Sequence, residues 1–208
     1  MKKYTNLEEK TEIVKQRIED DIQSLFDKNI ENLFDGFEKD ERTKAFIKYY
    51  NEIVLDQNKI NFGTFKAKWA IQGMTKEAYT DFDNNFDERK NEIINEKNID
   101  LFYEKYCREK RNEAIFCCKL FHVILPNEFP PVDNQIIKHF ELTNGNKINS
   151  YKIIKRGYEL FISQNEEKIN QIKQALTKEK YDYIRINELS NYRIIDMIYW
   201  FILNREKT

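Results

Sequence analysis

The sequence predicts an all-α fold, a multi-helix globular bundle with a long N-terminal helix. Three observations carry that reading. Only five glycines and three prolines punctuate 208 residues, too few turn formers for a many-stranded sheet. Apolar residues recur at three- and four-residue steps over most of the chain, the period of a helix face. Hydrophobic residues make up 40% of the chain and aromatics 14%, enough to fill a core, so a folded chain is expected rather than a disordered one.

Taken in order, Thr5-Asn6-Leu7-Glu8 fits a capping box, and Val14, Ile18, Ile22, Leu25, Phe26, Ile30, Leu33 and Phe34 follow at helical spacing. One amphipathic helix over residues 7–35 is predicted, ending near Gly36. Phe46, Ile47, Tyr50, Ile53 and Val54 mark a second helix over 41–56. NFGTFKAKWAIQGMT, 61–75, reads as a loop entering a short helix, and 76–96 as a helix interrupted by the polar run Asp81 to Asp87. Residues 99–108 and 111–124 read as two helices or one bent one, the second apolar on most sides and therefore central. Pro126 stops it. Then come helices at 134–142, from Ser150 to about Ser163, at 165–177, and a last one capped by Ser190. YDYIRI, 181–186, alternates like a strand but has no partner. One continuous helical domain is preferred; a boundary, if drawn, falls in the least apolar region and separates 1–98 from 99–208.

Charge excludes a global attraction to polyanions, since 35 basic residues face 36 acidic ones. Up to Arg108 the chain has 19 basic and 23 acidic residues, net −4; beyond it 16 and 13, net +3. The C-terminal half is thus the better place for a nucleic acid. MKKYTNLEEK lacks the apolar segment of a signal peptide, and Met197 to Leu203 is too short to span a bilayer. A soluble cytoplasmic protein with no membrane attachment is expected. Cys107, Cys117 and Cys118 form neither a disulfide framework nor a CxxC pair and read as small apolar fillers.

No GxGxxG, GxxxxGK[ST], HExxH or GxSxG occurs. Asp81, Asp83, Asn85, Asp87 and Glu92 sit at calcium-loop spacing, but Phe86 stands where the loop needs glycine. His122 and His139 lack carboxylates or cysteines at zinc spacing, so no metal or cofactor is expected. Lys147, Lys152, Lys155 and Arg156 surround a loop leading into a helix N-terminus, a candidate phosphate-binding surface. Arg193 and Asp196 lie three apart on an otherwise apolar helix, where an ion pair is required.

FHVILPNEFPPVDNQIIKHFEL holds all three of the chain's prolines. An Asp directly before a helix is a good N-cap, so Asp133 is expected to cap 134–142. PPVDNQIIKHFEL also resembles the proline-aspartate turn of the helix-hairpin-helix DNA glycosylases, where a buried helix ends, a Pro-Val-Asp follows, and the Asp opens the next helix. The likeness covers residues 111–142. It implies a glycosylase-like helical core in which Asp133 is the catalytic carboxylate and Lys110 the nearest candidate for the amine used by some members. It also implies that a base flipped from the stack rests on an aromatic such as Trp69 or Phe129. The glycine-containing hairpin of that family has no counterpart in YCREKRNEA. The turn together with the RxxDxxxW-like helix is similar to small uncharacterised bacterial proteins as well, some of which accompany phage-defence genes. The expected function is therefore nucleic-acid-associated base removal or base sensing. The alternative is a non-catalytic interaction module, a subunit, inhibitor or antitoxin, that takes a protein partner or a second copy through residues 7–35.

Overall fold

A computed structural model describes residues 7–28, 30, 34–35, 41–60, 63–65, 76–107, 113–143 and 146–205. Among these every regular element is a helix, and none is long and apolar enough to cross a membrane. The all-α expectation holds.

Helix α1, Leu7–Asp27, buries Thr11, Val14, Ile18, Ile22 and Leu25, the stripe its spacing predicts. Helical backbone reappears at Ile30, Phe34 and Asp35, while Thr5, Asn6 and Gly36 lie outside the described residues. The apolar stripe of α1 is covered within the chain by a later helix, Lys147–Gln164, eighth in chain order and labelled α8. Residues 7–12 lie opposite 149–160, Val14 meets Gly157, and Asn165 donates to Glu19 at 2.8 Å, so the two helices run in the same direction. Gly157 is what permits this approach. A Cβ there would stand 2.5 Å from Val14 Cγ1 and 2.9 Å from Val14 Cβ, well inside contact distance.

Helix α2, Glu41–Leu55, buries Ile47, Tyr50, Asn51, Ile53 and Val54 and packs on α6, Glu113–Ile124. Residues 76–96 form two helices, α3 Lys76–Asn84 and α4 Phe86–Glu96, and α5 is Ile99–Tyr106. Two carboxylates of the calcium-like run are engaged inside this unit: Asp81 accepts from Asn85 and Arg89, and Glu92 from Lys105 and Tyr106. Among the described residues no group of His, Cys, Asp and Glu could hold a metal ion.

Helix α7, Asn134–His139, is shorter than predicted because Glu141 takes a left-handed backbone, φ 57°, that no helix continues through. The cap of α8 is Asn146, whose side chain accepts from Ile148 N at 2.8 Å. Ser150, the predicted cap, lies inside that helix and donates to Leu142 O at 2.7 Å. After α9, Glu166–Ala175, YDYIRI is not a strand: Glu179–Ile184 and Ile186–Glu188 are 3-10 turns joined through Arg185 at φ 56°. Helix α10, Asn191–Arg205, starts as predicted, with Ser190 Oγ accepting from Arg193 N at 3.2 Å. One buried cluster runs from Val14 of α1 to Phe201 of α10, with α6 buried in its interior.

Candidate functional site

Helix α6 has almost no polar face, yet it carries Lys119 and His122 one turn apart, 7% and 0% exposed. Burying such groups is costly unless other elements receive them. Three do. Helix α10 brings Arg193 and Asp196, helix α2 brings Tyr50 and Asn51, and the turn 125–133 brings the backbone of Phe129.

Arg193 organises the group. It is 2% exposed, its guanidinium lies 3.7 Å from the centre of the Tyr50 ring, its Nε donates to Asn51 Oδ1 at 3.0 Å, and one terminal nitrogen pairs with Asp196. Asn51 in turn donates to Ile184 O at 2.7 Å, which fixes its amide orientation. The ion pair predicted from spacing is thus present, buried and braced on both sides. Lys119 Nζ lies 5.9 Å from the centre of the same Tyr50 ring, so two cations lie against one aromatic side chain. Burial pushes the Asp196 carboxyl above its usual range, against the pull of Lys119 and Arg193, and the charge of Asp133 pushes in the same direction as burial. Burial likewise raises Tyr50 and Tyr158, each of which also feels Asp196 and Asp133.

His122 has a defined state. Its Nδ1 is 2.7 Å from Phe129 O, and a carbonyl only accepts, so Nδ1 carries the proton. The ring stands edge-on to Tyr50. Burial, with Arg193 and Lys119 nearby, lowers its pKa to about 3, so the ring is neutral. Nε2 is left as a buried acceptor with no hydrogen-bond partner among the described residues.

Asp133 caps α7 as predicted, and it does so with one oxygen. Oδ1 accepts from Gln135 N at 2.8 Å and from Ile136 N at 3.0 Å. Oδ2 takes no hydrogen bond among the described residues. The side chain is partly exposed, and its charge is felt by the buried Asp196, Tyr50 and Tyr158.

The other predicted residues divide. Lys152, Lys155 and Arg156 line a groove of about 870 Å³ between α1 and α8, whereas Lys147 and Asp133 are not among its lining residues. Lys152 pairs with Asp100 at 3.1 Å, Lys155 with Glu159, and Arg156 with Glu159 at 3.2 Å. Phe129 is 6% exposed, with its ring 4.9 Å from Phe121 and Lys155 Nζ 5.5 Å from its centre, so stacking on a base requires it to be uncovered. Lys110 and Trp69 lie outside the described residues. The three cysteines are free and buried, with burial raising the Cys117 and Cys118 thiols away from nucleophilic use.

Sequence reasoning missed Lys119, His122, Tyr50 and Asn51 as members of the site. A signal existed for the first two: a cation and an imidazole three positions apart in a helix with no solvent face. Compared with known protein families, curated proteins and solved structures, the chain has no match.

Proposed function

We propose that the chain acts on nucleic acid as a DNA-glycosylase-like base-removing or base-sensing protein in bacterial or phage conflict, with Asp133 as the carboxylate that meets the sugar. The observation that carries the reading is the division of labour at Asp133. Two backbone N–H groups hold Oδ1, which orients the carboxylate, while Oδ2 accepts no hydrogen bond among the described residues. A held, half-free carboxylate is what loss of a base from a sugar needs. As the N-glycosidic bond breaks, the sugar develops oxocarbenium charge; a fixed anion stabilises it without having to reorganise, or takes a proton from the attacking water. Lys119 is an amine that the fold brings into this cluster, over the Tyr50 ring. The Tyr50–Arg193–Asp196–Asn51 bracing keeps the wall behind it rigid.

A shape-matched pair of probes that differ in charge tests this. DNA carrying a cationic pyrrolidine in place of one sugar mimics the developing charge, and the tetrahydrofuran analogue lacks it. Wild-type protein is expected to prefer the pyrrolidine DNA by about tenfold or more, and Asp133→Asn to lose the preference while keeping the cap. Equal affinity of wild type for the two probes contradicts the proposal.

The α1 interaction reading has no observation in its favour, because the face it would use is occupied by α8.

A further inference from the structure

Two cations of the α1/α8 groove converge on a single carboxylate. Lys155 Nζ bonds one oxygen of Glu159 and Arg156 bonds the other at 3.2 Å. Using both oxygens on two adjacent cations is the arrangement a phosphate would make with the same pair. Glu159 is placed to matter for access as well. It lines the groove and also a smaller cavity of about 280 Å³ against the start of α10, so it is part of the wall common to both. On the opposite wall Lys10 makes no ion pair among the described residues and stands between Glu8 and Glu12, the latter paired with Lys15, so the four cations of the groove face three carboxylates.

We propose that this groove is the track for the backbone of one nucleic-acid strand, and that Glu159 occupies its phosphate position until a strand arrives. The inference rests on the nucleic-acid reading above and adds to it the strand's path and an internal competitor. Binding exchanges one anion for another on Lys155 and Arg156, with no covalent step. A concave surface bearing lysines and an arginine suits a single backbone better than a duplex face. Lys152 on the same wall is held by both oxygens of Asp100 at 3.1 Å, a second competitor. The track is also joined to the candidate site. Lys155 lies over the Phe129 ring, and the Phe129 carbonyl, on the turn that leads to Asp133, anchors His122. A strand seated on Lys155 therefore reaches the turn that holds the carboxylate.

The test is fluorescence anisotropy of a short labelled single-stranded DNA with wild type, Glu159→Gln, and Glu159→Gln combined with Lys155→Met and Arg156→Met, at rising salt. Glu159→Gln keeps the shape and removes the competing charge. It is expected to bind more tightly than wild type. With two more phosphates neutralised, at a slope of about 0.7 each, its affinity should fall about sevenfold more than that of wild type between about 50 and 200 mM salt. The triple variant should return to wild-type affinity or below. Asp100→Asn, which frees Lys152 at a separate position, should shift affinity in the same direction by the equivalent of one phosphate, and it reads the same mechanism should Glu159→Gln prove unfolded by circular dichroism. Wild-type binding with no increase in either variant overturns the inference and leaves the nucleic-acid reading standing. Absence of binding by all variants at the lowest salt overturns both.

Discussion

Acid should destabilise this protein through His122. The ring is wholly buried, its Nδ1–H is committed to Phe129 O, and its pKa is lowered from 6.5 to about 3 by burial beside Arg193 and Lys119. In the unfolded chain the same ring titrates near 6.5. A depressed folded value means that the unfolded state binds the proton first. The contribution to stability is therefore complete above about pH 6.5 and is lost progressively as pH falls toward about 3. At about pH 5 the loss is roughly 1.5 pH units multiplied by 1.36 kcal/mol, or about 2 kcal/mol, a sizeable part of the stability of an ordinary domain. The assay is urea unfolding at about pH 7 and about pH 5 for wild type and His122→Asn, whose amide can still donate to Phe129 O but does not titrate. Asp196, whose raised value makes acid relieve a cost, is common to both proteins and cancels in the difference. Wild type should lose about 2 kcal/mol more than His122→Asn. Equal losses would refute the neutral buried imidazole and, with it, the reading of Nε2 as an acceptor.

The buried ion pair and the α1/α8 contact make further predictions. Asp196→Ala leaves the Arg193 guanidinium buried with Asn51 and Tyr50 as its partners among the described residues, and should cost about 3–5 kcal/mol in urea unfolding. Replacing both members, Arg193→Met with Asp196→Leu, should recover most of that loss; a double variant as unstable as the single one would show that the cost is steric. Gly157→Ala places a methyl 2.5 Å from Val14 Cγ1 and should cost about 1–3 kcal/mol, measured as a fall in Tm. Val14→Ala in the same chain should recover part of it, and a Gly157→Ala protein as stable as wild type would contradict the close helix approach.

Much of the helical order was legible because the cues were local. Ser190 caps α10, Asp133 caps α7, and the stripe of α1 is buried as its spacing implies. Errors came where two local cues competed. Asn146 and Ser150 are both good caps four positions apart, and the chain uses Asn146, whose side chain reaches Ile148 N and opens the helix one turn earlier. YDYIRI alternates like a strand, but with no second strand its backbone closes into 3-10 turns, with Tyr181 and Ile184 buried.

The candidate site was legible only in halves. Periodicity showed Arg193 and Asp196 on one face of α10 and required them to pair. It could not show that Tyr50 and Asn51, far earlier in the chain, would supply the ring beneath Arg193 and the acceptor for its Nε. Lys119 and His122 were hidden for a related reason: on a helix buried all round, no polar face marks which neighbours will meet them. Asp133 shows the limit most clearly, since an N-cap and a functional carboxylate look the same in sequence and differ only in what the second oxygen faces.

That second oxygen is tested most directly by single-turnover release of free base from duplexes that each carry one damaged or modified base, comparing wild type with Asp133→Asn. Asparagine keeps the oxygen that receives Gln135 N and Ile136 N, so its urea midpoint should match wild type. A carboxylate that stabilises the departing sugar cation predicts release by wild type, slowed about 100-fold or more in the variant. Base release at the wild-type rate by folded Asp133→Asn would contradict the account.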